Sequence, residues 1–209
     1  AISASTKNSN LLEIGAGSGA LALNMMKFFE GIENFPTNYS ILEPSARLQA
    51  QQKNTLRQLA KSSVDRFQWL QSLPEKFSGC IVANEVMDAI PYERIQKTPQ
   101  GWCYLGVGIE SAGNEENFCW QLMGLVKQED LPQPLKNESE YLDGYTTEIR
   151  PLIKPWIASL AASIKQGNML LFDYGYPQKD LYHPQRVSGS LRCYSRHQAN
   201  DDALSLVGL

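Results

Sequence analysis

The hydrophobic pattern changes period early in the chain. Leu11-Leu12-Glu13-Ile14 reads as a short buried strand that runs directly into Gly15-Ala16-Gly17-Ser18-Gly19. Beyond the glycines, Leu21, Met25, Phe28, Phe29 and Ile32 recur at helical spacing, with Asn24, Lys27 and Glu30 between them. That spacing predicts an amphipathic helix whose apolar face packs on a sheet. Strand, glycine loop and helix make one βα unit. In a second unit, Tyr39-Ser40-Ile41-Leu42 is the strand and Glu43-Pro44-Ser45 is a turn with Ser45 as N-cap. Ala46 to Lys61, rich in helix formers, completes it, with Leu48, Leu56 and Leu59 expected to face the sheet.

Phe67 to Leu70 predicts a third strand, and Gly79-Cys80-Ile81-Val82-Ala83 a fourth, nearly all apolar as a central parallel strand covered on both faces must be. From Pro151 to Ile164, Ile153, Ile157, Leu160 and Ile164 return at helical spacing. Gly167 is expected to stop that helix before Met169-Leu170-Leu171-Phe172, the fifth strand. Alternating strands and helices predict an α/β fold with a Rossmann-like, mostly parallel sheet. Ligands then bind beyond the carboxyl ends of its strands.

The middle of the chain breaks the alternation. Arg94 to Gln96 and Trp102 to Ile109 flank the loop Lys97-Thr98-Pro99-Gln100-Gly101, which predicts an antiparallel hairpin, and Phe118 to Leu122 adds a third strand. Asn114 to Asn137, rich in Asn, Glu, Gln and Pro, reads as a surface excursion. The expected organisation is a first core part at 1–92, an antiparallel insertion at 93–145 after the fourth strand, and the core continued at 146–209. The chain ends at Leu209 without the closing strands of such a sheet, so it is expected to be a fragment truncated at its C-terminus.

Among 209 residues there are 19 Lys or Arg and 22 Asp or Glu, a net charge of -3, with no basic cluster. A nucleic-acid partner calls for a basic face, so none is expected. The longest uncharged run, Ile14 to Met26, is too short and too rich in glycine to cross a bilayer. Ala1 to Lys7 lacks the basic-then-apolar order of a secretory signal. Cys80, Cys103, Cys119 and Cys193 are scattered, with only His183 and His197 beside them, which supports neither a disulfide scaffold nor a metal site. His197, near Arg196, Asp201 and Asp202, is expected to be a surface residue.

The sharpest chemical signal is Glu13-x-Gly15-x-Gly17-x-Gly19. Glycines let a ligand approach the backbone, and the following helix offers unpaired N–H groups at its positive end. Through Ala20 the loop also fits the dinucleotide fingerprint, so glycine spacing alone leaves open a nicotinamide cofactor or S-adenosylmethionine. Glu13 favours the second, because a carboxylate there suits a ligand ammonium and repels a pyrophosphate. Glu43, ending the second strand, is placed to accept hydrogen bonds from both ribose hydroxyls of either cofactor. Trp69 and Leu70, ending the third strand, are candidates to flank the adenine.

After the fourth strand, Asn84-Glu85-Val86-Met87-Asp88-Ala89-Ile90-Pro91 brings polar groups to the open end of the sheet. Asn84, Glu85 and Asp88 are the catalytic candidates. Were a helical turn to begin there, Glu85 and Asp88 would share one side, while Asp88 as a helix cap is the alternative. Glu148 is a third carboxylate candidate or a helix-start residue before Pro151, and Tyr174 and Tyr176 are candidates to wall a channel.

Together, Glu13 to Gly19, Asn84 to Pro91 and Phe172-Asp-Tyr-Gly-Tyr-Pro177 resemble the MidA-like family of S-adenosylmethionine-dependent methyltransferases. The likeness runs to Gly189-Ser-Leu-Arg-Cys-Tyr-Ser-Arg-His197, over most of the chain. It implies a class I methyltransferase sheet, Gly15, Gly17 and Gly19 cradling the cofactor, Glu43 holding its ribose, and Asn84 and Glu85 lining the methyl-transfer cleft. Mitochondrial members of that family act on protein arginine in complex I assembly. The resemblance therefore implies a protein acceptor, such as a complex I subunit or a bacterial counterpart. The compartment would be the mitochondrial matrix in a eukaryote and the cytoplasm in a bacterium. Two other readings stand beside it: a non-catalytic assembly factor that grips a partner through Arg94 to Leu122, and a nicotinamide oxidoreductase.

Overall fold

The computed structural model describes residues 10–33, 35–59, 61–113, 115–195, 198–200 and 202–205. Its chain divides into two compact units, one of residues up to 90 with 153–174, the other of 91–152 with 175 onward.

In the first unit, β1 (Asn10–Ile14), β2 (Asn38–Leu42), β3 (Phe67–Leu70), β4 (Phe77–Asn84) and β9 (Ile164–Phe172) form a five-stranded sheet in the order β3-β2-β1-β4-β9. All four pairings are parallel. The strand order turns back between β1 and β4, which makes that junction the switch point of the sheet. Helices α1 (Ala20–Gly31) and α2 (Ala46–Leu56) cover one face, where Leu11, Tyr39, Ile41, Cys80 and Val82 pack with Ala22, Leu23, Met26 and Leu56. The other face buries Leu12, Ile14, Ile81 and Ala83 beneath Leu160 of α4 (Ile153–Ser163). Burial of a side chain such as Ile81, wholly enclosed, contributes about 1.5–3 kcal/mol.

Three expectations shift. The deepest residues of α1 are Ala22, Leu23 and Met26; of the expected face, Leu21, Met25 and Phe29 pack against that core, while Phe28 and Ile32 are 63% and 50% exposed. Instead of reaching Lys61, α2 ends at Leu56. There Arg57, Gln58 and Leu59 tighten into bonds to the third residue back, which drops Leu59 into the core, and a short α3 (Lys61–Val64) follows. Gly167 does not stop a helix, because β9 begins at Ile164 and carries Gly167 in register with Gly79.

The second unit holds an antiparallel sheet in the order β7-β6-β5-β8, built from β5 (Glu93–Thr98), β6 (Gly101–Ala112), β7 (Glu115–Leu125) and β8 (Thr146–Ile149). Thr146–Ile149, expected to resume the parallel core, instead pairs with β5, since Ile149 and Thr147 need cover beside Ile95. The polar-rich stretch expected to be a surface excursion is strand as far as Leu125, and beyond it Val126, Leu131 and Leu135 are buried. They surround Trp102, whose indole N–H donates to the Leu135 carbonyl at 3.0 Å and whose ring meets Tyr141 and Tyr145 edge-on. A small α5 (Gln178–Leu181) and the antiparallel pair β10 (Cys193–Ser195) and β11 (Gln198–Asn200) also belong to the unit. Among the described residues no helix is long and apolar enough to cross a membrane. Ala1 to Lys7, Arg196, His197 and Asp201 lie outside the described residues.

Gly79 and its register partner Gly167 both leave no room for a side chain in the parallel sheet; a Cβ on Gly79 would run into the Asn10 carbonyl, and its φ is +155°. Gly79→Ala is expected to lower stability by about 1–3 kcal/mol through strain alone. Urea denaturation of the two proteins checks this, and coincident midpoints would refute it.

Candidate functional site

Parallel pairing of β1 with β4 in the register Ile14 to Ala83 sends two loops out of the sheet side by side. One is the glycine loop. The other is the turn after Asn84, and the two touch, for a Cβ on Gly15 would lie 2.9 Å from the Val86 side chain. Gly15, Gly17 and Gly19 all have positive φ, and Gly19 occupies the N-cap of α1 in the left-handed region. The first turn of α1 contains no acidic side chain, so its N–H groups and positive end remain an attractive place for a polar ligand.

Glu43 leaves β2 on the other side of the glycine loop. It is 4% exposed, with Oε1 accepting from the Ser45 N–H at 2.9 Å and Oε2 from Gln52 Nε2 at 3.1 Å. Gln52 Nε2 also donates to the Gly17 carbonyl at 3.0 Å. Trp69 joins this group by donating its indole N–H to Gln52 Oε1 at 2.9 Å, beneath Lys53. Leu70 takes the opposite face of β3 and packs, as Leu42 and Leu73 do, against the core of Leu12, Ile14 and Ile81, because neighbouring strand residues point to opposite sides. The structure thus gathers Gly17, Gly19, Glu43 and Trp69 around α2, with Leu70 on the other side of the sheet. A nucleoside fits this donor set, since the carboxylate of Glu43 is held firmly and its oxygens keep further lone pairs for hydroxyl donors.

Glu13 faces the same side as Leu11 and is 2% exposed, its Oε2 accepting from the Tyr39 hydroxyl at 2.6 Å. Burial pushes its carboxyl above the usual range near 4.5, partly offset by the Tyr39 bond, and burial also raises the Tyr39 phenol.

The turn after β4 differs from the sequence expectation. No helix begins there, so Asp88 is not a helix cap and does not share a helix face with Glu85; the Ile90 N–H donates to the Met87 carbonyl in a turn. Asn84 and Glu85 are exposed, and Glu85 adopts φ +51°, with its N–H donating to the Phe172 carbonyl at 2.8 Å. Asp173, just beyond β9, holds the turn. Its Oδ2 accepts from the N–H groups of Met87 at 2.8 Å and Asp88 at 3.1 Å, and its Oδ1 accepts from Tyr174 N–H at 2.9 Å. The Tyr174 hydroxyl in turn donates to Asp88 Oδ2 at 3.0 Å. That bond, and then the charges of Asp88, Glu85 and Asp173, push the exposed Tyr174 phenol up. Carboxylates and a phenol therefore converge on the open end of β4.

Asp173 and Gln52 are the residues that sequence reasoning passed over as site components. The Asp-Tyr-Gly run had marked Asp173, while nothing in the pattern marked Gln52 among the helix formers of α2. In the second unit, Glu148 is a strand residue and not a helix start. It is buried in β8, where its Oε2 accepts from the N–H and hydroxyl of Ser190 and its Oε1 lies 3.8 Å from Arg94. Tyr176 stacks against the Arg186 guanidinium beside Asp180 and His183.

The Glu13 and Tyr39 pair has a pH signature. A carboxyl raised in the folded state contributes stability that is full below its unfolded value and declines as pH climbs through the folded value. The stability difference between wild type and Glu13→Gln is therefore expected to move against wild type as pH rises above the usual Glu range. Tyr39→Phe, which strips the donor from a buried carboxyl, should cost about 1–3 kcal/mol more at neutral pH. Thermal denaturation between acid and neutral pH checks both, and a pH-independent difference would contradict the first.

Two solved structures from Burkholderia thailandensis are similar to this chain. One is a COG1565 superfamily member bound to S-adenosyl-homocysteine, 32% identical over 95% of this chain with a TM-score of 0.84. The other, a native COG1565 superfamily protein, is 31% identical over 97% of this chain with a TM-score of 0.85. The chain spans about half the length of each, 50% and 53%. No curated protein matches it. Residues 2–209 match the family described as putative S-adenosyl-L-methionine-dependent methyltransferase. With a Rossmann-like sheet, a glycine loop at its switch point and a match along nearly its whole length, the chain belongs to that family.

Proposed function

We propose that the protein transfers a methyl group from S-adenosylmethionine to a protein side chain, with arginine as the favoured acceptor. The observation that carries the acceptor is the convergence of Glu85, Asp88 and Asp173 around Tyr174 at the open end of β4, beside the glycine loop. The family match and the S-adenosyl-homocysteine in the solved relative support the cofactor over a nicotinamide. When bound, that cofactor supplies an electrophilic methyl group on a sulfonium.

In this reading Gly15, Gly17 and Gly19 cradle the cofactor, Glu43 accepts from its ribose, Trp69 belongs to the adenine end, Asn84 lines the methyl end, and Leu70, packed on the opposite face of the sheet, drops out of the site. Glu13, enclosed beneath the loop, acts on the ligand ammonium through its field. Glu85 and Asp88 accept N–H donors of a guanidinium fork, drawing positive charge toward one nitrogen and leaving another oriented for attack. Tyr174 holds Asp88 in place for that contact. Positioning of the nucleophile and exclusion of water supply most of the rate. A complex I subunit or a bacterial counterpart suits the acceptor class, in the mitochondrial matrix or the bacterial cytoplasm respectively.

One observation favours a second reading, a partner-gripping assembly factor. Val107, Ile109, Phe118 and Leu122 lie in register on one face of the β6 and β7 ribbon and are each more than half exposed. That is the kind of apolar row that marks an interaction surface.

The test uses full-length protein, labelled S-adenosylmethionine and arginine-bearing peptides. Wild type is expected to label them, and Glu85→Gln or Asp88→Asn to lose about tenfold or more in kcat, the scale of a lost charge-assisted contact. Cofactor affinity should hold. Equal labelling by wild type and Glu85→Gln would remove Glu85 from catalysis, and no labelling by wild type would favour the partner-gripping reading. Asp173→Ala is expected to lower kcat with little change in affinity for S-adenosyl-homocysteine, because the N–H groups of Met87 and Asp88 in the turn, and that of Tyr174, lose their acceptor. Unchanged kcat would refute that role.

A further inference from the structure

Gln52 sits midway along α2 and is fully buried, a rare placement for an amide without a task. Its bonds run in three directions. Nε2 donates to the Gly17 carbonyl at 3.0 Å and to Glu43 Oε2 at 3.1 Å, and Oε1 accepts from Trp69 Nε1 at 2.9 Å. These partners allow one orientation of the amide. Rotated by half a turn, the group would set its nitrogen against the Trp69 N–H and its oxygen against a carbonyl and a carboxylate.

The consequence for Glu43 is that both of its oxygens are fixed, one by the Ser45 N–H and the other by Gln52. A carboxylate held this way presents its remaining lone pairs in a set direction, whereas one held at a single oxygen swings about that bond. The loop is held from the same helix. Thr55 Oγ1 donates to the Ser18 carbonyl at 2.8 Å, Gln49 Nε2 donates to the Glu43 carbonyl at 2.7 Å, and a Cβ on Gly19 would lie 3.2 Å from the Gln52 backbone. Gln49, Gln52 and Thr55 recur at helical spacing, so one stripe of α2 fixes the glycine loop and the carboxylate together.

We infer that Gln52 is a positioning residue that sets the aim of Glu43 on the ribose, and so determines how strongly the site discriminates a ribose from a 2′-deoxyribose. The inference rests on the reading that the nucleoside of the cofactor lies between the glycine loop and Glu43. Gln52 makes no contact with the ligand in this scheme. It acts through Glu43 and Gly17, and Trp69 keeps its amide the right way round.

The experiment is calorimetric titration of full-length protein with S-adenosyl-homocysteine and with its 2′-deoxy analogue. Wild type is expected to prefer the ribose compound by about tenfold or more, the worth of one hydrogen bond to a charged group. Gln52→Met, similar in volume but without donors, should bind S-adenosyl-homocysteine about tenfold more weakly and lose most of the preference. Glu43→Ala should do the same, and the double variant should be little worse than Glu43→Ala, because the two residues act as one unit. Gln52→Glu, which sets a second carboxylate against Glu43, should lose at least as much as Gln52→Met and serves in its place should that variant not fold. Equal weakening toward both ligands would reduce Gln52 to a structural role, and unchanged affinity would end the proposal. Undiminished binding by Glu43→Ala would instead sink the reading of Glu43 on which it rests.

Discussion

The register of β1 against β4 is the constraint on which the site depends. Because Ile14 pairs with Ala83, the strands end within one residue of each other, and the glycine loop and the turn after Asn84 leave the sheet as neighbours. Their contact is close enough that Gly15 has no room for a side chain against Val86. A slip of one residue would turn every side chain of β1 to the other face and carry Glu13 into the helix α4 layer. The apolar pairs Leu11 with Cys80 and Leu12 with Ile81, buried on opposite faces, resist that slip. The geometry of the loops is thus a by-product of core packing several residues below them.

The outer strands then fix the loops from each side. On one side β2 delivers Glu43 and α2 delivers Gln52, which bonds to the glycine loop. On the other, β9 delivers Phe172 and Asp173, whose carbonyl and carboxylate take the N–H groups of Glu85, Met87 and Asp88. The strained backbone of Glu85, at φ +51°, persists because this surrounding bonding over-determines it. Asp173 lies far from Asp88 in sequence, so its bonds to the turn depend on the pairing of β9 with β4.

Much of this was legible in sequence, and the exceptions share a cause. Strand positions, the glycine loop, the switch-point architecture and the antiparallel insertion follow from period and composition, which local physics controls. What the pattern misplaced depended on which neighbour a residue meets. The apolar residues of α1 fit several helical faces, and only the sheet below selects Ala22, Leu23 and Met26 over Phe28 and Ile32. Gly167 resembles a helix stop until its register with Gly79 is known. Thr146–Ile149 is a short, mostly polar run with no hydrophobic alternation although all four residues are buried, and its partner β5 lies about fifty residues earlier in sequence. Gln52 was invisible because a glutamine in a helix is ordinary, and its burial comes from elements on either side of it.

The carboxylates of the first unit divide by burial in a way that fits the separate roles proposed for them. Glu13 and Glu43 are almost wholly enclosed, and each is bonded to groups of the protein itself, Tyr39 in one case and Ser45 with Gln52 in the other. Enclosed carboxylates of this kind cannot move to meet a ligand, so they suit a cofactor whose position must not vary between turnovers. Glu85 is exposed and Asp88 half-buried, on a turn whose backbone is held while their side chains reach the surface. A side chain on a fixed turn can adapt to an acceptor that arrives from solvent. In the proposed function the same residue type would thus serve rigid binding where the core encloses it and adaptable contact where the sheet ends, and the boundary between the two is the carboxyl edge of β1 and β4.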